Sequence, residues 1–211
     1  MGILLPKVYP ILDSSCIPAS GREAFLERLG LSMTDAGVRL LEYRNKIGTD
    51  AEVLADARIL RSAMSSVKLI MDDRVDVAMA ARFDGVHVDA GDLTPTDARF
   101  LLGEEATVGT SASDEAELLA ALNSGADYVA FGPVFPTATK QTAARPIGIE
   151  GVRRFRAVAG AGPLLVAAAG ITLETAPGIL EAGADAVAVA AGIFRAADPA
   201  AEFRRWMAVL E

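Results

Sequence analysis

Two aspartates of this 211-residue chain, Asp73 and Asp92, follow apolar segments at points where a strand would give way to a loop. Mg²⁺ prefers oxygen ligands and commonly takes one or two carboxylates, while water and substrate phosphates complete its shell. For either aspartate alone, capping of the next helix is the better explanation. The two together, beside the cations described next, favour a magnesium site.

Cationic side chains fall close to the same points of the sequence. Arg44 can hold two oxygens of one phosphate, whereas Lys46 and Lys140 can each supply a movable point charge. Surface charge is the simpler explanation for Lys46 alone, but Arg44 ends an apolar segment and is harder to explain in that way. Three cations next to a metal site suit a pyrophosphate group.

The segment GPVFPTATK, residues 132–140, has the composition of a loop that binds an anion. Thr137 and Thr139 offer hydroxyl donors, Lys140 adds a positive charge, and the two prolines restrict the path of the backbone. The alternative is an ordinary turn that carries one exposed lysine.

The elements that must position these side chains are short and regular. Eight apolar segments, mostly without apolar–polar alternation, are typical of buried parallel strands: 8–13, 38–44, 67–73, 85–89, 107–111, 128–135, 164–170 and 186–194. Eight segments with apolar residues three and four apart predict helices: 22–30, 51–64, 74–83, 95–103, 113–125, 149–160, 172–183 and 198–210.

Strict alternation of eight strands and eight helices predicts an α/β fold, a (β/α)8 TIM barrel that forms one domain over residues 1–211. An open doubly wound sheet is the alternative, but its G-x-G-x-x-G turn is missing after the first strand.

In such a barrel the chemistry lies at the carboxyl ends of the strands, and the polar residues of this chain gather there. They are Glu42, Arg44, Lys46, Asp72, Asp73, Asp92, Ser111, Thr137, Thr139 and Lys140. Gly170 and the pair Ala190 and Ala191 end the last two strands, whose loops frequently bind phosphate through backbone N–H groups. A glycine needed only for a tight turn explains Gly170 equally well.

Two further residues are assigned structural roles. His87 is the one histidine of the chain and lies between two valines in a strand, so a core histidine with a satisfied ring is a better explanation than a catalytic base. Cys16 is the one cysteine and cannot form an internal disulfide, which favours a reducing compartment.

The composition excludes several classes of protein. A net charge of −8 argues against a general nucleic-acid binder. The chain has neither a recognisable signal peptide nor a run of about 18 apolar residues, so we expect a cytoplasmic protein that does not span a membrane. A homodimer is expected on general grounds, because closed symmetric dimers are the commonest oligomers.

Taken in order, several segments resemble those of thiamine-phosphate synthases. EYRNK resembles the family's Gln-x-Arg-x-Lys, and LIMDDRVDVAMAARFDGVHVDAGDL resembles its Asn-Asp stretch with the following His-Leu-Gly-Gln-x-Asp. GPVFPTATK and the spacing of DGVHV to the next aspartate are the most specific of these segments. The resemblance runs through most of the chain.

This resemblance implies a (β/α)8 barrel that joins 4-amino-2-methyl-5-(diphosphomethyl)pyrimidine to a thiazole phosphate, with Mg²⁺, giving thiamine phosphate and pyrophosphate. It implies Asp73 and Asp92 as metal ligands and Arg44, Lys46, Thr137, Thr139 and Lys140 as contacts of the pyrophosphate or the thiazole phosphate. It implies Ser111 near the pyrimidine and pyrophosphate, and Gly170, Ala190 and Ala191 at the thiazole phosphate.

Five positions depart from the family pattern. Glu42 replaces a substrate-binding Gln, Asp72 replaces Asn, Asp89-Ala90 replaces Gly-Gln, and Ala169 replaces the first Gly of a pair. An added acid near a pyrophosphate is costly unless a metal or a proton offsets it. Two alternatives follow: a thiazole tautomerase, which would need a proton-transferring side chain where Ser113 stands, or a barrel that binds phosphate without catalysis.

Overall fold

The barrel is closed by eight parallel strands. The computed structural model describes residues 5–137 and 144–210. In it the strands pair in chain order and the eighth pairs with the first, which confirms the predicted (β/α)8 architecture. They are β1 (Val8–Asp13), β2 (Leu40–Arg44), β3 (Lys68–Asp72), β4 (Gly85–Val88), β5 (Thr107–Ala112), β6 (Tyr128–Phe131), β7 (Leu164–Ala168) and β8 (Ala186–Val189).

Helices follow the strands on the outside of the barrel. Within the described residues they are α1 (Arg22–Asp35), α2 (Asp50–Ala63), α3 (Val75–Ala81), α4 (Pro95–Leu102), α5 (Glu115–Leu122), α6 (Gly148–Ala159), α7 (Ala176–Glu181), α8 (Ala191–Phe194) and α9 (Pro199–Leu210). A single 3-10 turn, Ser14–Cys16, follows β1.

Two of the predicted strands were too long. The strand predicted over 128–135 ends at Phe131, because a glycine and a proline without an N–H follow it. The strand predicted over 186–194 ends at Val189, and the helix α8 occupies its second half. A short apolar helix and a short buried strand have the same composition, so the pattern could not separate them.

The molecule has two apolar layers, one between strands and helices and one inside the barrel. Tyr9, Ile70, Tyr128 and Val166 fill the inside and are almost completely buried. Gly109 makes room for one of these rings, since a Cβ at that position would lie 2.1 Å from Cζ of Tyr128. The interior therefore combines apolar side chains with the hydroxyls of two tyrosines.

The loop that follows β6 is fixed to the end of β7. The backbone N–H of Val134 donates to the carbonyl of Ala168 at 2.9 Å, and that of Phe135 donates to the carbonyl of Ala169 at 3.1 Å. Gly170 lies directly beneath this loop, because a Cβ there would be 2.6 Å from the carbonyl oxygen of Phe135. These contacts place the start of the predicted anion-binding segment over the barrel mouth.

None of the helices in the described part of the chain combines the length and the apolar character that crossing a membrane requires.

Candidate active site

Charged side chains from three neighbouring strand ends form one cluster at the barrel mouth. Arg44 pairs with Asp13, its register partner on the adjacent strand, and its Nε lies 3.5 Å from Oδ2 of Asp72. Lys46 lies 3.0 Å from the same Asp72 oxygen and also pairs with Asp73. The structure thus brings together four of the predicted site residues. It does so because parallel strands end at the same face of the barrel.

Helix capping does not explain the two candidate metal ligands. Arg74 is the N-cap of α3, and the side chain of Thr94 caps α4. Asp73 precedes α3 with a positive φ of 61°, and Asp92 accepts a hydrogen bond at 3.0 Å from the backbone N–H of Asp89. The capping alternative considered for each aspartate is therefore wrong.

Asp73 and Asp92 together have the character of an incomplete cation site. Oδ1 of Asp73 is buried and accepts no hydrogen bond from the described residues. Burial raises the pKa of Asp92, and the negative charge of Asp73 raises it further. Where the chain is described, no group of three or more His, Cys, Asp and Glu side chains is arranged as a metal site. Two carboxylates nonetheless fit Mg²⁺, which takes its remaining ligands from water and phosphate.

The added acid at Asp72 is balanced by its neighbours. Burial raises the pKa of Asp72, and Lys46 opposes that rise. Burial alone would lower the pKa of Lys46, but Asp72 and Asp73 outweigh this effect and raise it, so the lysine stays charged. Burial would likewise raise the pKa of Asp13, yet hydrogen bonds from Ser15 and Arg44 lower it.

A second polar feature is a chain of hydrogen bonds through the barrel interior. The hydroxyl of Tyr9 donates to Oε2 of Glu42 at 2.8 Å and lies 2.7 Å from the hydroxyl of Tyr128. The Tyr128 hydroxyl is 3.1 Å from Nδ1 of His87, and Nε2 of His87 is 2.8 Å from Oγ of Ser111. Both ring nitrogens of His87 are therefore engaged, which confirms the prediction of a satisfied ring. We call these five residues the interior chain.

Burial sets the charge state of most of the interior chain. It raises the pKa of Glu42 from 4.5 to about 7, with the His87 ring opposing the rise and Asp72 adding to it. It raises the pKa values of Tyr9 and Tyr128 well above 10, so both hydroxyls keep their hydrogens. For His87, burial lowers the pKa, but the surrounding carboxylates outweigh it and the net shift is upward.

A cavity of about 590 Å³ opens next to Asp92, one of the two candidate metal ligands. Its wall includes Asp92, Ser111, Thr137 and Ala169, which come from the ends of four different strands. Its volume lies within the range of small-molecule sites, roughly 300–1,000 Å³. The cavity is therefore large enough for the reacting groups of two small substrates.

The remaining predicted residues have different outcomes. Gly170 lies under the loop that leads to Thr137, as described above. Ala190 and Ala191 lie at the end of β8, where Ala190 is the N-cap of α8, and they do not belong to the wall of the cavity. Thr139 and Lys140 lie outside the described residues.

Three residues of the site were missed by sequence reasoning. Asp13 ends β1 and pairs with Arg44, and the rule that strand ends carry the chemistry could have identified it. Tyr9 and Tyr128 are interior residues whose hydroxyls complete the chain to His87. Their alternation within the strands indicates which way they point, but no local pattern shows that they meet across the barrel.

Several known proteins are similar to this chain over most of its length. A family model described as thiamine monophosphate synthase matches residues 8–193. Thiamine-phosphate synthase of Koribacter versatilis is 39% identical over 193 residues, covering 91% of this chain and 90% of that protein. The counterpart from Azoarcus sp. is 46% identical over 166 residues, covering 76% and 78%. The structure of thiamine phosphate pyrophosphorylase from Pyrococcus furiosus superposes with a TM-score of 0.80 at 30% identity, covering 97% of each chain.

Proposed function

The chain belongs to the thiamine monophosphate synthase family, and we propose that its reaction takes place where Arg44, Lys46 and Asp73 converge. The activity is that of a transferase, which joins 4-amino-2-methyl-5-(diphosphomethyl)pyrimidine to a thiazole phosphate and releases pyrophosphate. Neither the tautomerase nor the inactive barrel is supported by the relatives. The observation that carries the proposed site is the convergence of charged side chains close to Asp92, which lines the cavity together with Ser111.

The cationic residues are assigned to the leaving group. The pyrimidine carbon is activated by the ring amine, so the diphosphate can leave before the thiazole nitrogen attacks. Arg44 and Lys46 then stabilise the negative charge that develops on the departing oxygens, and fixed charges of this kind need no reorganisation during the reaction. The thiazole nitrogen is already a nucleophile, so a general base is not required.

Asp73 and Asp92 would hold Mg²⁺. The fit rests on Oδ1 of Asp73, which is buried without a hydrogen bond from the described part of the chain, and on the repulsion between the two carboxylates. A divalent ion would relieve both. When bound, the ion supplies positive charge against the phosphate oxygens of the diphosphate. Lys46 contacts Asp73 already, so the lysine and the ion share one corner of the site.

The other assignments follow the walls of the site. Ser111, Glu42 and Asp72 are assigned to the pyrimidine and pyrophosphate side. Gly170, Ala190, Ala191, Thr137, Thr139 and Lys140 are assigned to the phosphates of the second substrate and the product. Support for Ala190 and Ala191 comes from the short helix α8, since loops after the last two strands of such barrels often bind phosphate.

A variant of one proposed metal ligand tests the site. We expect Asp73→Asn to raise the Mg²⁺ concentration needed for half-maximal formation of thiamine phosphate by about tenfold or more, because one of two protein carboxylates is lost. The matched control is Asp76→Asn, three residues along the chain, where the carboxylate is exposed and pairs with Arg74. Equal Mg²⁺ dependence of the two variants would refute the assignment of Asp73.

Two expectations about the whole protein remain predictions. Cytoplasmic location rests on the sequence, and the homodimer rests on the general frequency of such assemblies. Sedimentation of the purified protein would check the second.

A further inference from the structure

The interior chain has a direction that its hydrogens determine. When Glu42 is ionised its oxygens can only accept, so the Tyr9 hydroxyl donates its one hydrogen to that carboxylate. The oxygen of Tyr9 then accepts from Tyr128, and the oxygen of Tyr128 accepts in turn from Nδ1 of His87. In a neutral imidazole only one nitrogen carries a hydrogen. In the neutral ring this direction leaves Nε2 as the acceptor for Ser111, with Oδ1 of Asp89 at 3.6 Å from the same nitrogen.

We propose that Tyr9 and Tyr128 are positioning residues, which hold the hydrogen of His87 on Nδ1 so that Nε2 fixes the hydroxyl of Ser111 at the barrel mouth. The proposal rests on the function assigned above to Ser111. It adds two residues of the barrel interior, which do not line the described cavity, to the machinery of the reaction.

Three observations make this arrangement rigid rather than incidental. Tyr9 and Tyr128 are each 1% exposed, so water does not compete for their hydroxyls. Their rings meet edge to face with centroids 5.6 Å apart, and the Tyr128 ring occupies the space that Gly109 leaves. The hydrogen bonds made by a histidine ring determine which of its nitrogens carries the hydrogen, and here the partner of Nδ1 is the buried hydroxyl of Tyr128.

The consequence for Ser111 is geometric. With Nε2 as its acceptor, the Ser111 hydroxyl uses its one hydrogen on the ring, so at the wall of the cavity its oxygen can only accept hydrogen bonds. If the hydrogen of the ring moved to Nε2, the serine would become the acceptor and its own hydrogen would rotate into the cavity. The tautomer of a buried histidine thus decides what Ser111 presents to the substrates.

The first test reads the tautomer directly. His87 is the one histidine of the chain, so the two ring nitrogens of protein labelled with ¹⁵N-histidine need no assignment against other residues. At about pH 8.5 and without substrate, we expect a protonated Nδ1 and an unprotonated Nε2. Tyr128→Phe should shift the ring towards the Nε2–H form, because the acceptor for Nδ1–H is gone. A wild-type ring protonated on Nε2, or on both nitrogens, would overturn the proposal, as would an unchanged pattern in Tyr128→Phe.

The second test connects the tautomer with the reaction. We expect Tyr128→Phe to lower kcat about three- to tenfold, the factor that one hydrogen bond is worth, with KM for both substrates within about twofold. In a Ser111→Ala background the same change should lower kcat less than twofold, since Tyr128 acts through the serine. Additive losses would overturn the proposal.

A control separates this role from general stability. Thr107→Val removes a buried hydroxyl from the same strand as Ser111, but at the opposite end of the barrel, where it bonds to Lys68. We expect it to leave the histidine tautomer and kcat unchanged. If Ser111→Ala alone had full activity, the assignment of Ser111 would be wrong, while the tautomer result would stand by itself.

Discussion

Glu42 is an acidic residue in a buried position, where a charged side chain is costly. It is 3% exposed and lies inside the barrel, where burial raises its pKa to about 7. The acid therefore binds a proton near neutral pH and receives a hydrogen bond from Tyr9 when it is ionised. An added acid can be accommodated in the proposed pyrophosphate site in two ways. Glu42 can bind a proton, whereas the charge of Asp72 is offset by that of Lys46 beside it.

The raised pKa of Glu42 predicts a stability that falls with pH. Between the unfolded pKa of 4.5 and the folded value of about 7, the folded protein binds a proton that the unfolded chain releases. The contribution of Glu42 to the free energy of unfolding is therefore greatest below about pH 4.5 and is lost as the pH rises through about 7. We expect Glu42→Gln, which keeps an acceptor for Tyr9, to be more stable than the wild type by about 1–3 kcal/mol at pH 8 and by little at pH 5.

Urea denaturation of ligand-free protein at the two pH values measures this difference. Glu150→Gln is the matched control, because Glu150 is exposed and pairs with Arg153 on the outer helix α6. We expect the control to change stability by less than about 0.5 kcal/mol at both values. An equal gain at pH 5 and pH 8 for Glu42→Gln would show that its charge is not the cause.

Ala169 has a strained backbone conformation. Its φ of 72° lies in the left-handed region, which costs a residue with a Cβ about 1 kcal/mol or more. We expect Ala169→Gly to raise the free energy of unfolding by about 0.5–1 kcal/mol, and Tm by about 1–4 °C.

The neighbouring Ala168 gives the control for this prediction. It ends β7 without a positive φ, so glycine there should destabilise by about 0.5–1 kcal/mol through loss of backbone entropy. Opposite signs for two adjacent alanines would establish the cause, whereas the same sign at both would contradict it.

At the scale of elements, the fold was largely predictable from the sequence. Buried parallel strands have continuous apolar runs, so the positions of all eight strands followed from composition, and their carboxyl ends led to Arg44, Lys46, Asp72 and Asp73. What could not be predicted depends on contacts between distant elements. Tyr9 and Tyr128 lie 119 residues apart and meet only because the barrel closes. The helix α8 was missed because a single apolar turn has no periodicity to read.

The loop between β2 and α2 carries Lys46, a residue proposed to be catalytic. Asn45 holds the turn by accepting a hydrogen bond at 2.8 Å from the N–H of Gly48, and its amide donates to the hydroxyl of Tyr43 at 3.0 Å. That hydroxyl also bonds to Asp56 of α2, which Arg22 of α1 holds with three hydrogen bonds. The loop with Lys46 is thus attached to two helices.

Removing one hydroxyl should loosen this attachment. We expect Tyr43→Phe to raise KM for the pyrimidine diphosphate about three- to tenfold, with KM for the thiazole phosphate unchanged, because only Lys46 loses its support. Steady-state kinetics with each substrate varied in turn measures both values. Thr107→Val, which removes a buried hydroxyl far from the mouth, should change neither. Parallel increases in both constants would point to a general loss of structure instead.

At the scale of the molecule, negative charge dominates. The net charge is −8, and the mouth repeats this imbalance. The carboxylates of Asp13, Asp72, Asp73, Asp89 and Asp92 lie there, with the buried Glu42 close to Asp72, and Arg44 and Lys46 are the cations that pair with this group. A diphosphate entering such a field meets like charge at short range, and a divalent ion would reverse the local sign. Metal and diphosphate should therefore bind together rather than separately.

This coupling gives a prediction that needs no turnover. We expect pyrophosphate, the released product, to bind at least about tenfold more tightly with Mg²⁺ than with EDTA, because the ion offsets the excess of carboxylates. Linkage requires that pyrophosphate tighten Mg²⁺ binding by the same factor, so calorimetric titrations in both orders check each other. Asp73→Asn should reduce the coupling, since the variant removes one ligand and one negative charge at once. Pyrophosphate that bound equally well in EDTA would show that Arg44 and Lys46 suffice, and it would remove the reason for placing a metal between Asp73 and Asp92.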